Sequence, residues 1–359
     1  MERGRANRLD LPSSAKGKTL RAPLLILTVD VEEDMPDWKV KRVTTTQNIE
    51  ALPAFTTRMS ALGVRPTFLC DYPVVARPAS ADVLGNLAAT TGCELGTHMH
   101  AWNTPPFDGD AERESAERNV AYYQSELAAP VFRDKLNTLH EAVTAVAGQT
   151  PTSYRAGRFG IDGRTLQEVV ALGYRVDSSV IPLSEHRVDG GPDHRKAPQG
   201  PYFPSASDVT RRGDLPILEI PLSIGLTRRL PRFLQRAFVR MPRRTRLRGL
   251  LSRDYLGWVD YGWLYPARFD EETMCRVAAT LVASEIPVLN VFLHSSELIP
   301  GASGRVHTDE DVQRVVRDCE ALLTYCIGEL GAQPATLSEA ADVLVPVLRA
   351  SSGRDLETA

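Results

Sequence analysis

The chain has 359 residues, 43% apolar and 24% charged, with a net charge of −3. That length and balance suit one large α/β domain or two ordinary ones with a packed core, and the near-neutral charge argues against a nucleic-acid binder. Five scattered cysteines, Cys70, Cys93, Cys275, Cys319 and Cys326, form no Cys-x-x-Cys pair, which argues against a disulfide framework or a zinc ribbon and suits a reducing compartment. No apolar run approaches the roughly 20 residues needed to span a bilayer. Residues 1–20 read as a flexible basic tail. The apolar "LLILTV" that follows is too short for a signal peptide, leads into carboxylates and precedes no cleavage site, so a cytoplasmic location is expected.

Leu24–Val31 is a continuous apolar run and predicts a strand buried on both faces. Ile49–Leu62 predicts a helix despite Pro53, ended by Gly63. Pro66–Cys70 is a second strand, Val83–Ala89 a helix, and Glu94–Gly96 a short third strand entering "GTHMHAWNTPP". Leu136, Leu139, His140, Val143 and Val146 share one helical face. Thr165–Leu172 predicts a helix closed by Gly173, with strands following near Tyr174–Asp177 and Ile217–Pro221. Glu271–Glu285 reads as a helix, Val288–His294 as a strand and Asp309–Gly328 as the last long helix. The alternation predicts a mostly parallel sheet wrapped by helices. The polar loop Asp189–Pro201 marks no domain boundary, because the alternation resumes after it.

Residues able to carry chemistry stand at the ends of these strands: Asp30, His98, Arg155, Asp177 and His294. Parallel barrels place their sites at the C-terminal ends of strands, where the loops converge. Asp30 and Glu32 are two apart and share a face in an extended chain. Buried there, two carboxylates need a partner, a proton or a metal. His98 and His100 also share a face, and imidazoles are common zinc ligands. Arg155 can hold a carboxylate by two-pronged hydrogen bonds. Asp177 and His294 each end an apolar strand, and an aspartate can orient a histidine and raise its pKa.

In order, "TVDVEED", "PTFLCDYPV", "CELGTHMHAW", "YRAGRFG", "GYRVDSSV", "LEIPLS" and "VFLHSSELIPG" resemble the polysaccharide deacetylase family, the NodB-homology group of carbohydrate esterases. The resemblance covers about Leu24 to Leu344. It implies a distorted (β/α)7-type barrel of mostly parallel strands and a divalent metal, usually zinc. By position, Asp30 matches the general base, Arg155 the arginine that holds it, His294 the general acid and Asp177 the residue that tunes it. His98 matches the first metal histidine. Two positions depart from the family pattern. Val31 follows Asp30 where a second aspartate is usual, leaving Glu32 as the replacement candidate, with Glu33 and Asp34 as alternatives. Trp102 stands where the second histidine is usual, leaving His100 to supply that ligand.

The domain expected is a barrel over 21–349, with an insertion at about 222–265 and a C-terminal tail at 350–359. Between Leu222 and Arg253 lie ten arginines and no acidic residue. Leu230, Phe233, Leu234, Ala237, Phe238 and Met241 fall at helical spacing within it. The segment reads either as an external helix on the barrel or, through Arg228–Arg253, as a contact for an anionic membrane surface. The function expected is metal-dependent deacetylation of an N-acylated saccharide or lipid-linked sugar in bacterial surface-polysaccharide assembly. The alternative is a non-catalytic saccharide-binding or regulatory protein on the same barrel. A metal hydrolase of the amidohydrolase type would carry its His-x-His on the first strand, whereas here it lies on about the third.

Overall fold

Alternation along the strands sets the interior. The computed structural model describes residues 20, 22–37, 40, 44–107, 122–231 and 259–357. Its strands are β1 (Leu24–Val31), β2 (Thr67–Cys70), β3 (Glu94–Met99), β4 (Ser153–Ala156), β5 (Val176–Asp177), β6 (Pro204–Ser205), β7 (Asp208–Arg212), β8 (Leu218–Glu219), β9 (Ile224–Leu226), β10 (Tyr261–Trp263), β11 (Val288–His294) and β12 (Gln333–Pro334). Every residue of β1 is buried. Leu25, Leu27, Val29 and Val31 join the apolar layer beneath the helices, while Leu24 and Ile26 point the other way. That second set packs with Leu69, Val176, Leu218, Ile220 and Val288, and with Leu337, Ala340 and Leu344 of the helix Leu337–Glu357, into an apolar plug at the foot of the barrel. Above the plug the same inward face carries Thr28, Asp30 and Glu32, following the two-residue period of a strand.

The main sheet runs β11-β1-β2-β3-β4-β5-β8, with every pairing parallel, and β12 pairs with the start of β1. Among the described residues no ladder joins β8 to β11. The gap is bridged by Ser223 and Asn290, whose backbone nitrogens donate to the Asn290 carbonyl (3.2 Å) and the Ser223 hydroxyl (2.8 Å), and by Leu264 between Ser223 and Phe292. This is the distorted seven-stranded barrel expected. Two registers position the chemistry: Asp30 lies beside His294 and His98 beside Arg155.

β1, β11 and the helix Asp309–Gly328 have the expected bounds. β3 extends beyond Gly96 to Met99, so His98 lies within the sheet. The helix expected at Val83–Ala89 spans Pro78–Thr91, opened by its proline and closed by left-handed Gly92. The last helix runs through much of the stretch read as a tail. Of the arginine-rich segment, 232–258 lies outside the described residues, and with it most of the helix expected there. The described flanks pair as the antiparallel strands β9 and β10. No helix among the described residues is long and apolar enough to cross a membrane.

Gly96 faces the barrel interior. A Cβ there would lie 2.2 Å from Ser153 Oγ, 2.6 Å from Leu69 Cδ2 and 2.8 Å from the Ser153 carbonyl oxygen. Gly96→Ala is expected to destabilise the protein by about 1–3 kcal/mol through overpacking, read as a lower denaturant midpoint. An unchanged midpoint would contradict this packing.

Candidate functional site

Arg155 is fully buried on the inner face of β4. Its Nη1 donates to Asp30 Oδ1 at 2.6 Å and its Nε to the Ser178 carbonyl at 2.8 Å. Its Nη2 donates to Thr28 Oγ1 at 2.9 Å and Ser178 Oγ at 2.8 Å. The carboxylate is therefore held by one N–H rather than two, because the other donors tie β1 to the turn after β5. Asn290, on β11, braces the same group: it accepts from Thr28 Oγ1 at 3.0 Å and donates to Ser178 Oγ at 3.1 Å.

Glu32, the two histidines and Asp30 converge beside this cation. Glu32 Oε1 lies 2.7 Å from His98 Nε2 and 2.9 Å from His100 Nε2, and Asp30 Oδ2 lies 3.8 Å from His98 Nε2. His98 Nδ1 is 3.1 Å from the Arg155 carbonyl, which can only accept, so Nδ1 carries a proton and Nε2 is directed at the carboxylate. Burial pushes Glu32 up, but His100 and His98 outweigh it and hold the carboxyl well below its ordinary range. Burial pushes His98 down, but Asp30 and Glu32 raise it overall. A carboxylate and two imidazole nitrogens directed at one point, one ring oriented by a backbone carbonyl, form a donor set suited to a divalent cation.

Two neighbours fix His100. Trp102, at the position where a second histidine is usual, packs against it at a tilt, with ring centroids 4.2 Å apart. His100 Nδ1 is also buried, with no hydrogen-bond partner among the described residues, against Gly157, where a Cβ would lie 2.5 Å from it. The alternative acids are engaged elsewhere. Glu33 and Asp71 both accept from Asn103 Nδ2, at 2.7 and 3.2 Å. Asp34 accepts from Thr45, Gln47 and Asn48.

His294, at the end of β11, is mostly covered, and its ligand nitrogen lies within 4.8 Å of oxygens of Asp30 and Glu32. Burial alone would lower its pKa. Glu297 beside it, then Glu32 and Asp30, raise it to about 9. Glu297 and Tyr265 were not singled out from the sequence. The signal for Glu297 is its place three residues after His294 in "HSSE".

Asp177, expected to tune His294, is placed differently. Val176 lies in the interior plug and Ser178 on Arg155, so the two-residue period turns Asp177 to the outer face. There it accepts from Ser179 Oγ and meets Glu219, its register partner on β8. Burial raises Glu219 well above its ordinary range, with Asp177 adding to it. Burial also raises Asp177, to about 6, against the hydrogen bonds from Glu219 and Ser179. Both carboxyls are pushed up, which favours one proton held between them.

No family model matches the chain. No curated protein matches it either. Among solved structures, a protein from Mycobacterium smegmatis with a provisional polysaccharide deacetylase assignment matches at a TM-score of 0.52, with 15% identity over 96% of this chain and 96% of that one. This chain has the polysaccharide deacetylase fold. Two further structures match at TM-scores of 0.44 and 0.41, below the level that establishes a common fold. One is a CE4 family pseudoenzyme from Bacillus anthracis, with 9% identity over 89% of this chain and 66% of that one. The other is a family 4 acetyl xylan esterase from Clostridium thermocellum in complex with a cobalt ion, with 13% identity over 90% and 92%.

Gly157→Ala is expected to push His100 aside and weaken any divalent-metal binding at this donor set about 10- to 100-fold, the usual effect of disturbing a ligand's support. Titration against a competing chelator reads this, and unchanged affinity would remove His100 from the donor set. For the carboxyl pair, folding takes up a proton, because Glu219 ionises near 4.5 when unfolded and keeps its proton far higher when folded. Wild-type stability therefore falls as pH rises above about 6, where Asp177 is ionised. Glu219→Gln keeps a donor without the titration, so its decline should be shallower by about 1.4 kcal/mol per pH unit. Denaturant unfolding across that range measures the slopes, and parallel curves would contradict the shared proton.

Proposed function

We propose that the protein is a metal-dependent hydrolase that removes an N-acyl group, acetyl first among candidates, from a saccharide in surface-polysaccharide assembly. The observation that carries this reading is the convergence of His98, His100 and Glu32 beside an arginine-held Asp30, with a His294 nitrogen within 4.8 Å of the Asp30 and Glu32 oxygens. The shared fold and its neighbour's provisional assignment support it.

A divalent cation held by Glu32, His98 and His100, most suitably zinc, would polarise an acyl carbonyl and acidify a nearby water. Asp30 is the base that takes the water's proton. Arg155 fixes the direction of that carboxylate through Nη1, leaving Oδ2 on the His98 side. His294, whose pKa is raised chiefly by Glu297 against the effect of burial, gives a proton to the departing amine. The products are an amino sugar and the free acid. Trp102 and Gly157 hold His100 in place and exchange no proton.

The test pairs metal content with turnover. Wild type is expected to hold near-stoichiometric divalent metal, lost in His98→Ala and His100→Ala. Asp30→Asn should keep the metal and lower acetate release from N-acetylated glycans about 10²- to 10⁴-fold, the span expected for removing a general base. Equal metal in the wild type and both histidine variants would remove the site. Metal binding without acetate release by wild type would favour the saccharide-binding alternative.

A further inference from the structure

We propose that Glu297 and Tyr265 are positioning residues for His294, keeping a proton on Nδ1 and turning Nε2 toward Asp30 and Glu32. The inference deepens the hydrolase reading and rests on it for the role of His294 as proton donor.

The geometry is specific. The Tyr265 hydroxyl donates to Glu297 Oε1 and lies 3.0 Å from His294 Nδ1. Glu297 Oε1 is itself 3.4 Å from Nδ1. Glu297 Oε2 accepts from the His294 backbone N–H at 3.0 Å, fixing the carboxyl against the start of the short helical turn Ser295–Leu298. Both side chains are buried. A phenol has one hydrogen, and here it is given to Glu297. The remaining lone pairs of the phenol can only accept, so Nδ1 must carry a proton to satisfy them. Burial, with Glu297 adding to it, pushes the Tyr265 hydroxyl well above its ordinary range, so it stays a phenol. The Tyr265 ring is packed on Phe292 at a centroid distance of 4.8 Å, which holds its hydroxyl in place. Asp177 is turned out of the barrel, so the position usual for the tuning residue is not the one occupied here. With Nδ1 engaged by Tyr265 and Glu297, Nε2 is the nitrogen turned toward Asp30 and Glu32 to deliver the proton, the logic of a histidine oriented through its other ring nitrogen.

The test uses full-length, metal-loaded protein with ¹⁵N-labelled histidine, the His294 signals being assigned by their loss in His294→Gln. Under alkaline conditions, where the ring is neutral, wild-type His294 is expected to show the Nδ1–H tautomer. Tyr265→Phe and Glu297→Gln should shift it toward Nε2–H, lower kcat about 10- to 100-fold with little change in KM, and leave the metal content unchanged. Asp177→Asn should leave the His294 signals in place. An Nε2–H tautomer in wild type, or an unchanged tautomer in both variants, would overturn the inference. So would a loss confined to KM. If wild type releases no acetate, the hydrolase reading falls, and the tautomer measurement still decides this one.

Discussion

A guanidinium buried inside the barrel is the constraint on which the rest of the site depends. Removing an unpaired charge from water costs many kcal/mol, so Arg155 must be paired and its donors satisfied. Four described hydrogen bonds to Asp30, Thr28 and Ser178 do this, and Asn290 braces two of those partners from β11. The cation thus ties β1, β4, the turn after β5 and β11 into one arrangement. Losing any of these partners leaves a buried donor unpaired, so the strand ends have little freedom. Asp30 inherits its orientation from this network, and its free oxygen falls toward His98.

The adjacent carboxyl groups show how one functional group takes several roles. Glu32 is buried but faces two imidazoles, which hold it ionised. Glu219 is buried against another acid and keeps its proton. Asp71 is pushed up by burial and by neighbouring Glu33. The first is a ligand candidate, while the other two are structural. Charge partner, rather than residue type or depth, separates them.

The His-x-His-x-Trp pattern has a geometric basis. His98 and His100 point to one side of β3 and the turn beyond it, with ring centroids 4.6 Å apart, so ligands two apart can reach one point. Trp102, at the position usual for the second histidine, then acts as a wall for His100. The cost is that His100 Nδ1 has no partner among the described residues and depends on the bare backbone of Gly157 for room. Beyond that glycine the chain turns through two left-handed residues, Arg158 (φ 54°) and Phe159 (φ 59°), a conformation rare outside glycine.

Local pattern determined a great deal about this protein. Largely apolar runs gave the bounds of β1 and β11 and predicted the parallel barrel, because strands buried on both faces are rich in apolar residues. The two-residue period put Asp30 with Glu32 and His98 with His100 on common faces. It also held the information that turns Asp177 outward, since Val176 and Ser178 flank it, but which face is interior depends on the closed sheet. Tertiary structure alone decided that Glu32, not Glu33 or Asp34, meets the histidines. It alone brought Glu297 and Tyr265 to His294 and left Arg155 only one N–H for Asp30. Those outcomes depend on register and on competition among partners far apart in sequence, and a strand's own residues carry no record of what its neighbours offer.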